Sequence, residues 1–254
     1  MILRRITKHV TDQNWFAVFI DFLIVVVGVF IGIQVANWND ARVEAEREQE
    51  VLVAILDDLK SDLANIESTS AMTKINIDTS NYLLEQAGFE TLDIISLPVA
   101  NYNLERKLEI TAPDPISEDQ KNQLWKLVTV HYYPIQSNTA FSSLIAAGDL
   151  KIISNQSLIS KLQSYTQNWY SLQESNTTTY KRFRDRTIFV AQEFGLSPFS
   201  NIPENELIAM IQNNPKLKAV ISTLLEYTVL HKSQFTETKK LTMVLIDQVE
   251  KEIK

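Results

Sequence analysis

Residues 15–36 read WFAVFIDFLIVVVGVFIGIQVA, and the reading of this stretch decides the rest of the chain. As a helix it is about 33 Å long at roughly 1.5 Å per residue, a match for a hydrocarbon core of about 30 Å. Its polar members are Asp21 and Gln34, and Trp15 and Trp38 sit at its two ends, where indoles prefer the membrane interface. A cleaved signal peptide has a shorter apolar stretch followed by a small-x-small site, which Gln34-Val35-Ala36 does not supply. The stretch therefore reads as a retained signal anchor: a single transmembrane helix over 15–36, behind a cytoplasmic tail of residues 1–14.

Orientation follows from the basic residues. Arg4, Arg5 and Lys8 precede the span, whereas the residues after it open Asn37-Trp38-Asn39-Asp40 and are rich in Glu. Basic residues favour the cytoplasmic side. The expected placement is a bacterial inner membrane, with the N-terminus cytoplasmic and residues 37–254 forming a periplasmic domain. The net charge is −7; residues 1–36 carry +1, which leaves −8 for the remainder. An acidic exported domain disfavours nucleic acid as a partner.

Within the span, Asp21, Val25, Gly28 and Gly32 are spaced i, i+4, i+7, i+11 and share one helix face. Gly28 and Gly32 form a small-xxx-small pattern that lets a second helix approach closely. Asp21 lies about 9 Å inside Trp15 at roughly 1.5 Å per residue, and an intramembrane carboxylate is costly unless protonated, paired or snorkelling to the interface. The sharper reading is a packing seam against a second transmembrane helix, from a copy of the chain or from a partner protein. The blander one is an acid solvated from the cytoplasmic side.

The stretch Gly28-Val-Phe-Ile-Gly-Ile-Gln-Val-Ala-Asn-Trp-Asn-Asp40 resembles the hallmark of an uncharacterised bacterial family with one N-terminal transmembrane helix, an Asn-Trp-Asn exit and a helical domain beyond. Phe141-Ser-Ser-Leu-Ile-Ala-Ala-Gly-Asp-Leu-Lys-Ile-Ile-Ser-Asn155 is similar to a second segment of that family. The resemblance implies topology and no activity. More weakly, Phe19-Ile-Asp-Phe-Leu-Ile-Val-Val-Val27 resembles the span of stator-type ion-motive subunits, which would make Asp21 a carrier of a proton or cation.

The exported part reads as all-α, an antiparallel helical bundle. Gly numbers 5 and Pro 7, too few turn-formers for a sandwich of short strands. Leu52, Leu56, Leu59, Leu63 and Ile66 form a coiled-coil-like stripe, widened by Val51 and Ile55, and Ser68-Thr69-Ser70 is expected to bend or end that helix. A second stretch holding Ile75, Tyr82 and Leu83 ends near Gly88. Residues 89–116, with Pro98, Pro113 and Pro115, read as a long loop with one short strand. Ser117-Glu-Asp-Gln120 is a capping box that opens a helix running to about Val130. Residues 139–147 form a short helix stopped by Gly148. A long helix runs from Asn155 to Gly195 with Leu158, Leu162, Tyr165, Trp169 and Leu172 on one face. Asn201 or Ser200, followed by Pro203, starts a short helix, and Asn214-Pro215 starts the last one.

Little here points to catalysis. Cys numbers 0, which removes disulfides, thiolate metal sites and thiol chemistry. His9, His131 and His231 have no partner at metal-binding spacing, and His131 beside Tyr132 and Tyr133 reads as a packed histidine at a helix end in preference to one lining a pocket. Asp57, Asp58 and Asp62, with the acidic run over 44–50, lack a calcium-loop pattern and read as a solvated face. Trp125, Trp169, Tyr165 and Tyr170 read as core in preference to a ligand cage. Lys181, Arg182, Arg184 and Arg186 form the one basic cluster, either a surface face paired with acids or a patch for an anion or acidic partner. The expectation is a non-enzyme without metal or cofactor. Its partners would be membrane lipid and either copies of itself or another transmembrane protein.

Overall fold

The computed structural model describes residues 15–91, 94–98, 105–109 and 113–253. The expected cytoplasmic tail, residues 1–14, and the side chain of Trp15 lie outside the described residues. The chain divides into two compact units, residues 1–51 and 52–254.

Helix α1 runs unbroken over Trp15–Gln86. In the first unit it is long and apolar enough to cross a membrane, and none of its apolar window is buried within the protein. Residues 21–47 are all exposed.

In the second unit α1 buries a continuous stripe of Leu52, Ile55, Leu59, Asp62, Ile66, Thr69, Thr73, Asn76, Ser80 and Leu83, continued past its end by Ala87 and widened over residues 76–81, which are all buried. Their spacing alternates three and four without interruption, the period of a coiled-coil seam. The expected break at Ser68-Thr69-Ser70 does not occur, and two hydroxyls further along the stripe are satisfied inside the helix. Thr73 donates to the Thr69 carbonyl at 2.8 Å and Ser80 to that of Asn76 at 2.8 Å. Leu56 is buried as expected, whereas Leu63 is only partly so; Asp62 takes the place on the seam.

Beyond Gly88 the chain forms a hairpin of β1 (Ile94–Pro98) and β2 (Glu105–Glu109), antiparallel with Ile94 opposite Glu109. The expected loop thus holds two paired strands, and Leu108 packs on the core. The capping box is present, with Ser117 accepting from the Gln120 N–H and Gln120 from the Ser117 N–H, but the helix comes in two pieces. α2 (Glu118–Lys121) stops at Asn122, and α3 (Leu124–Thr129) follows a break at Gln123. α4 (Thr139–Ala147) ends on Gly148 at φ 71°, a left-handed position that disfavours side chains bearing a Cβ.

After a short 3₁₀ turn (Leu150–Ile152) comes α5 (Gln156–Ser175), capped by the Asn155 side chain, then a π-helical turn (Asn176–Tyr180) and α6 (Lys181–Gln192). Leu158, Tyr165 and Leu172 fall one heptad apart on the buried face; the seam resumes at Tyr180 and Thr187. The step from Leu172 to Tyr180 is one residue longer than a heptad, and the π turn absorbs the extra residue so that the face is kept. α7 (Glu204–Asn213) and α8 (Pro215–Glu252) complete the chain. On α8, Leu217, Ile221, Leu224, Thr228, His231, Phe235, Thr238, Thr242, Leu245 and Val249 are buried at alternating spacings of four and three.

α8 runs antiparallel to α5 and α6. Asn155 reaches Glu252, Tyr165 reaches Thr242, Asn168 reaches Thr238, Ser175 reaches Gln234 and Thr187 reaches the Val220 carbonyl. Ion pairs Lys60–Glu250 (3.0 Å) and Lys239–Glu67 (2.8 Å) show that α8 is antiparallel to this part of α1 as well. α1 and α5 are therefore parallel to each other, so the all-α unit is not antiparallel throughout. One apolar cluster of the described residues joins Leu83, Leu84, Trp125, Val128, Leu207, Ile211, Leu217 and Leu225.

Candidate functional site

The residues singled out in the span lie on the exposed first part of α1. With the helix unbroken there, Asp21, Val25, Gly28 and Gly32 fall within about 60° of one another at roughly 100° per residue. A Cβ added at Gly28 or Gly32 would meet nothing within 4 Å. Val25 is 63% and Trp38 68% exposed.

The basic cluster is not one patch. Lys181 pairs with Asp185, and Arg184 turns inward onto the same carboxylate at 2.9 Å. Burial alone would raise the Asp185 pKa, but Lys181 and Arg184 outweigh it and hold it low. Arg182 and Arg186 are left on the outer side of α6, beside Thr178 and the exposed Phe189. Of the aromatics expected in the core, Trp125, Trp169 and Tyr165 are buried, but Tyr170 is 66% exposed. α5 turns Tyr165 and Trp169 inward, and Tyr170 follows Trp169 by one residue onto the outer side.

Two buried polar centres join the helices of the second unit. In the first, Asp62 is fully buried, so it does not belong to a solvated acidic face. Its carboxylate accepts from the Ser137 N–H and from the Tyr165 hydroxyl at 2.9 Å. Tyr165 also contacts Thr242 Oγ1 at 2.9 Å, so α1, α5 and α8 meet at one tyrosine hydroxyl. Burial raises the Asp62 pKa to about 6 against the lowering effect of its hydrogen bonds.

The second centre lies around His131, Tyr180 and His231. His131 Nε2 bonds the Val128 carbonyl at 2.9 Å and must donate, so Nδ1 accepts from the Tyr180 hydroxyl at 2.6 Å. Tyr180 stacks on His231 with centroids 4.9 Å apart and planes at 15°. Burial lowers His131 to about 3 and His231 to about 4, so both rings are neutral at pH 7. Part of His131 reaches solvent, yet both of its nitrogens are engaged inside.

Beside this centre is a cavity of about 70 Å³, lined by Tyr133, Pro134, Ile135, Gln136, Trp169, Leu172, Gln173, Asn176, His231 and Phe235. Four of these carry a buried polar atom with no hydrogen-bond partner among the described residues: Tyr133 Oη, Trp169 Nε1, Asn176 Oδ1 and His231 Nε2. Arg184 reaches toward the Tyr133 hydroxyl and Trp169 Nε1 toward that of Tyr165, close enough to act on both hydroxyls but short of full hydrogen-bond geometry. Trp169 is 3% and His231 4% exposed. Buried polar groups are nearly always satisfied, so orphans gathered around one cavity need an explanation. Asn176 also opens the π turn, a rare element that recurs at functional sites. Sequence reasoning missed this cavity. The one available signal was His231, which stands on the three-four repeat of α8 where an apolar residue would serve packing better.

No curated protein and no solved structure matches the chain. The resemblance at the start of the chain is borne out, whereas the similar stretch 141–155 lies outside the matched residues. Residues 21–105, which run from the acid of the apolar helix through β1, match the sequence model of a family of unknown function (DUF6090).

Proposed function

We propose that the protein is a membrane-anchored helical interaction module, a scaffold or sensor-like subunit and not an enzyme. It is held by residues 15–36 in a bacterial inner membrane with the N-terminus cytoplasmic and the helical domain periplasmic. It pairs through its transmembrane helix with a second copy of itself or with a partner's helix. One observation carries this reading: a wholly exposed apolar helix presents Asp21, Gly28 and Gly32 on a single face. Such a helix needs lipid around it, and a carboxylate on the glycine face is stabilised where a neighbouring helix supplies a hydrogen-bond partner.

Gly32→Leu fills the groove that lets backbones approach. Cross-linking in membranes should show the paired form weakened by about tenfold or more, the size of one lost close-packed contact. A wild type that stays monomeric, or a Gly32→Leu chain that pairs normally, overturns the seam. Asp21→Asn retains pairing, because an amide still hydrogen-bonds across the interface. Loss of cellular function with pairing intact would favour the ion-coupled reading, in which Asp21 carries a proton or cation.

A further inference from the structure

We propose that the cavity between Tyr133, Trp169, Asn176 and His231 is a binding site for a small neutral molecule, or the head of a longer one, that carries a carboxamide or urea-type group. The site is independent of the membrane seam and lies wholly within residues 133–235.

The chemistry of the lining sets the class. Among the described residues no charged side chain lines the cavity, and Arg184, which reaches the Tyr133 hydroxyl, is already paired with Asp185, so an ionic ligand would lose its hydration for little counter-charge. The unsatisfied groups are of both kinds. Trp169 Nε1–H can only donate, Asn176 Oδ1 can only accept, and the Tyr133 hydroxyl does either. A ligand that satisfies them must offer an acceptor and a donor close together, as the C=O and N–H of an amide do. Trp169, Tyr133, His231 and Phe235 bring flat faces, and Pro134, Ile135 and Leu172 bring apolar contact, so a planar group fits better than a branched one. An engineered apolar cavity of about 150 Å³ holds benzene, so a space of half that size encloses about three heavy atoms. The cavity is partly open, and a longer substituent can leave by that side. Water is the competing occupant, because it too satisfies donors and acceptors; it does not, however, distinguish an amide from a ketone.

The test uses the full chain in detergent with its four tryptophans ¹⁵N-labelled. Acetamide is titrated while the indole N–H resonances are followed, and Trp169→Phe identifies the Trp169 signal. The site predicts a saturable shift of the Trp169 resonance with a Kd on the order of millimolar, as suits a ligand of so few atoms. The Trp125 indole, which already donates to the Ser197 carbonyl at 2.8 Å, should stay unmoved. Acetone, which lacks the donor, and acetate, which is charged, should each bind at least tenfold more weakly, and Asn176→Leu should weaken acetamide by a similar factor. The absence of a saturable Trp169 shift, or equal shifts from acetamide, acetone and acetate, would show a hydrated cavity only and overturn the proposal. If Asn176→Leu does not fold, the comparison of the three ligands on the wild-type chain still decides.

Discussion

Acidification from pH 6 to pH 4 should destabilise the helical unit by about 3 kcal/mol, and Asp62→Asn should roughly double that loss. The sign follows from three buried groups. His131 and His231 have folded pKa values lowered to about 3 and about 4, below the ordinary value of 6.5. The stability they confer is complete above pH 6.5 and is lost as pH falls towards those folded values, because the unfolded chain takes up protons that the folded one refuses. Asp62 acts oppositely. Its pKa is raised from 3.8 to about 6, so its contribution is complete below 3.8 and is lost as pH rises through 6. Between pH 4 and 6 two histidines stand against one aspartate. The net is about one proton, or roughly 1.4 kcal/mol per pH unit. With Asp62→Asn the offset disappears and the slope approaches two protons. Urea unfolding followed by circular dichroism at several pH values measures it. A slope that Asp62→Asn leaves unchanged would mean that Asp62 does not titrate in this window.

Trp125→Ala should cost about 3–5 kcal/mol, the largest loss expected from a single truncation. Trp125 is 1% exposed, sits in an apolar cluster with Leu83, Leu84 and Val128, and donates from Nε1 to the Ser197 carbonyl at 2.8 Å. The truncation opens a cavity and leaves that carbonyl unpartnered. Trp125→Phe keeps most of the volume, so its cost should fall to about 1–3 kcal/mol, the scale of an unmet buried hydrogen-bond group. Equal losses in the two variants by urea unfolding would show that the indole hydrogen bond, and not packing, carries the site.

Local signals were the legible ones. The Asn155 cap, the Gly148 stop, the Ser117 box and the Pro215 start each depend on residues within a turn or two of one another, and each stands in the structure. So does the apolar stretch after Trp15. The seam of α1 was harder to read because its middle is polar. Asp62, Thr69, Thr73, Asn76 and Ser80 look like surface or breaker residues, and only their helix-internal or tertiary hydrogen bonds make burial tolerable. Pairing of β1 with β2 and the π turn are likewise set by tertiary fit rather than by composition. The cavity was out of reach for the same reason. Tyr133, Trp169, Asn176 and His231 come from a loop, α5, the π turn and α8, and nothing in their spacing announces that they meet.

The most direct test of the membrane proposal is the side of the membrane on which the helical unit lies. The natural chain has no cysteine, so Asn201→Cys and Lys8→Cys each introduce a single thiol, the former at an exposed position. In intact spheroplasts, a membrane-impermeant maleimide should label Asn201→Cys fully and Lys8→Cys only after lysis, with the protein resisting alkaline extraction. Labelling of Lys8→Cys in intact cells with protection of Asn201→Cys, or release of the protein by alkali, would contradict it.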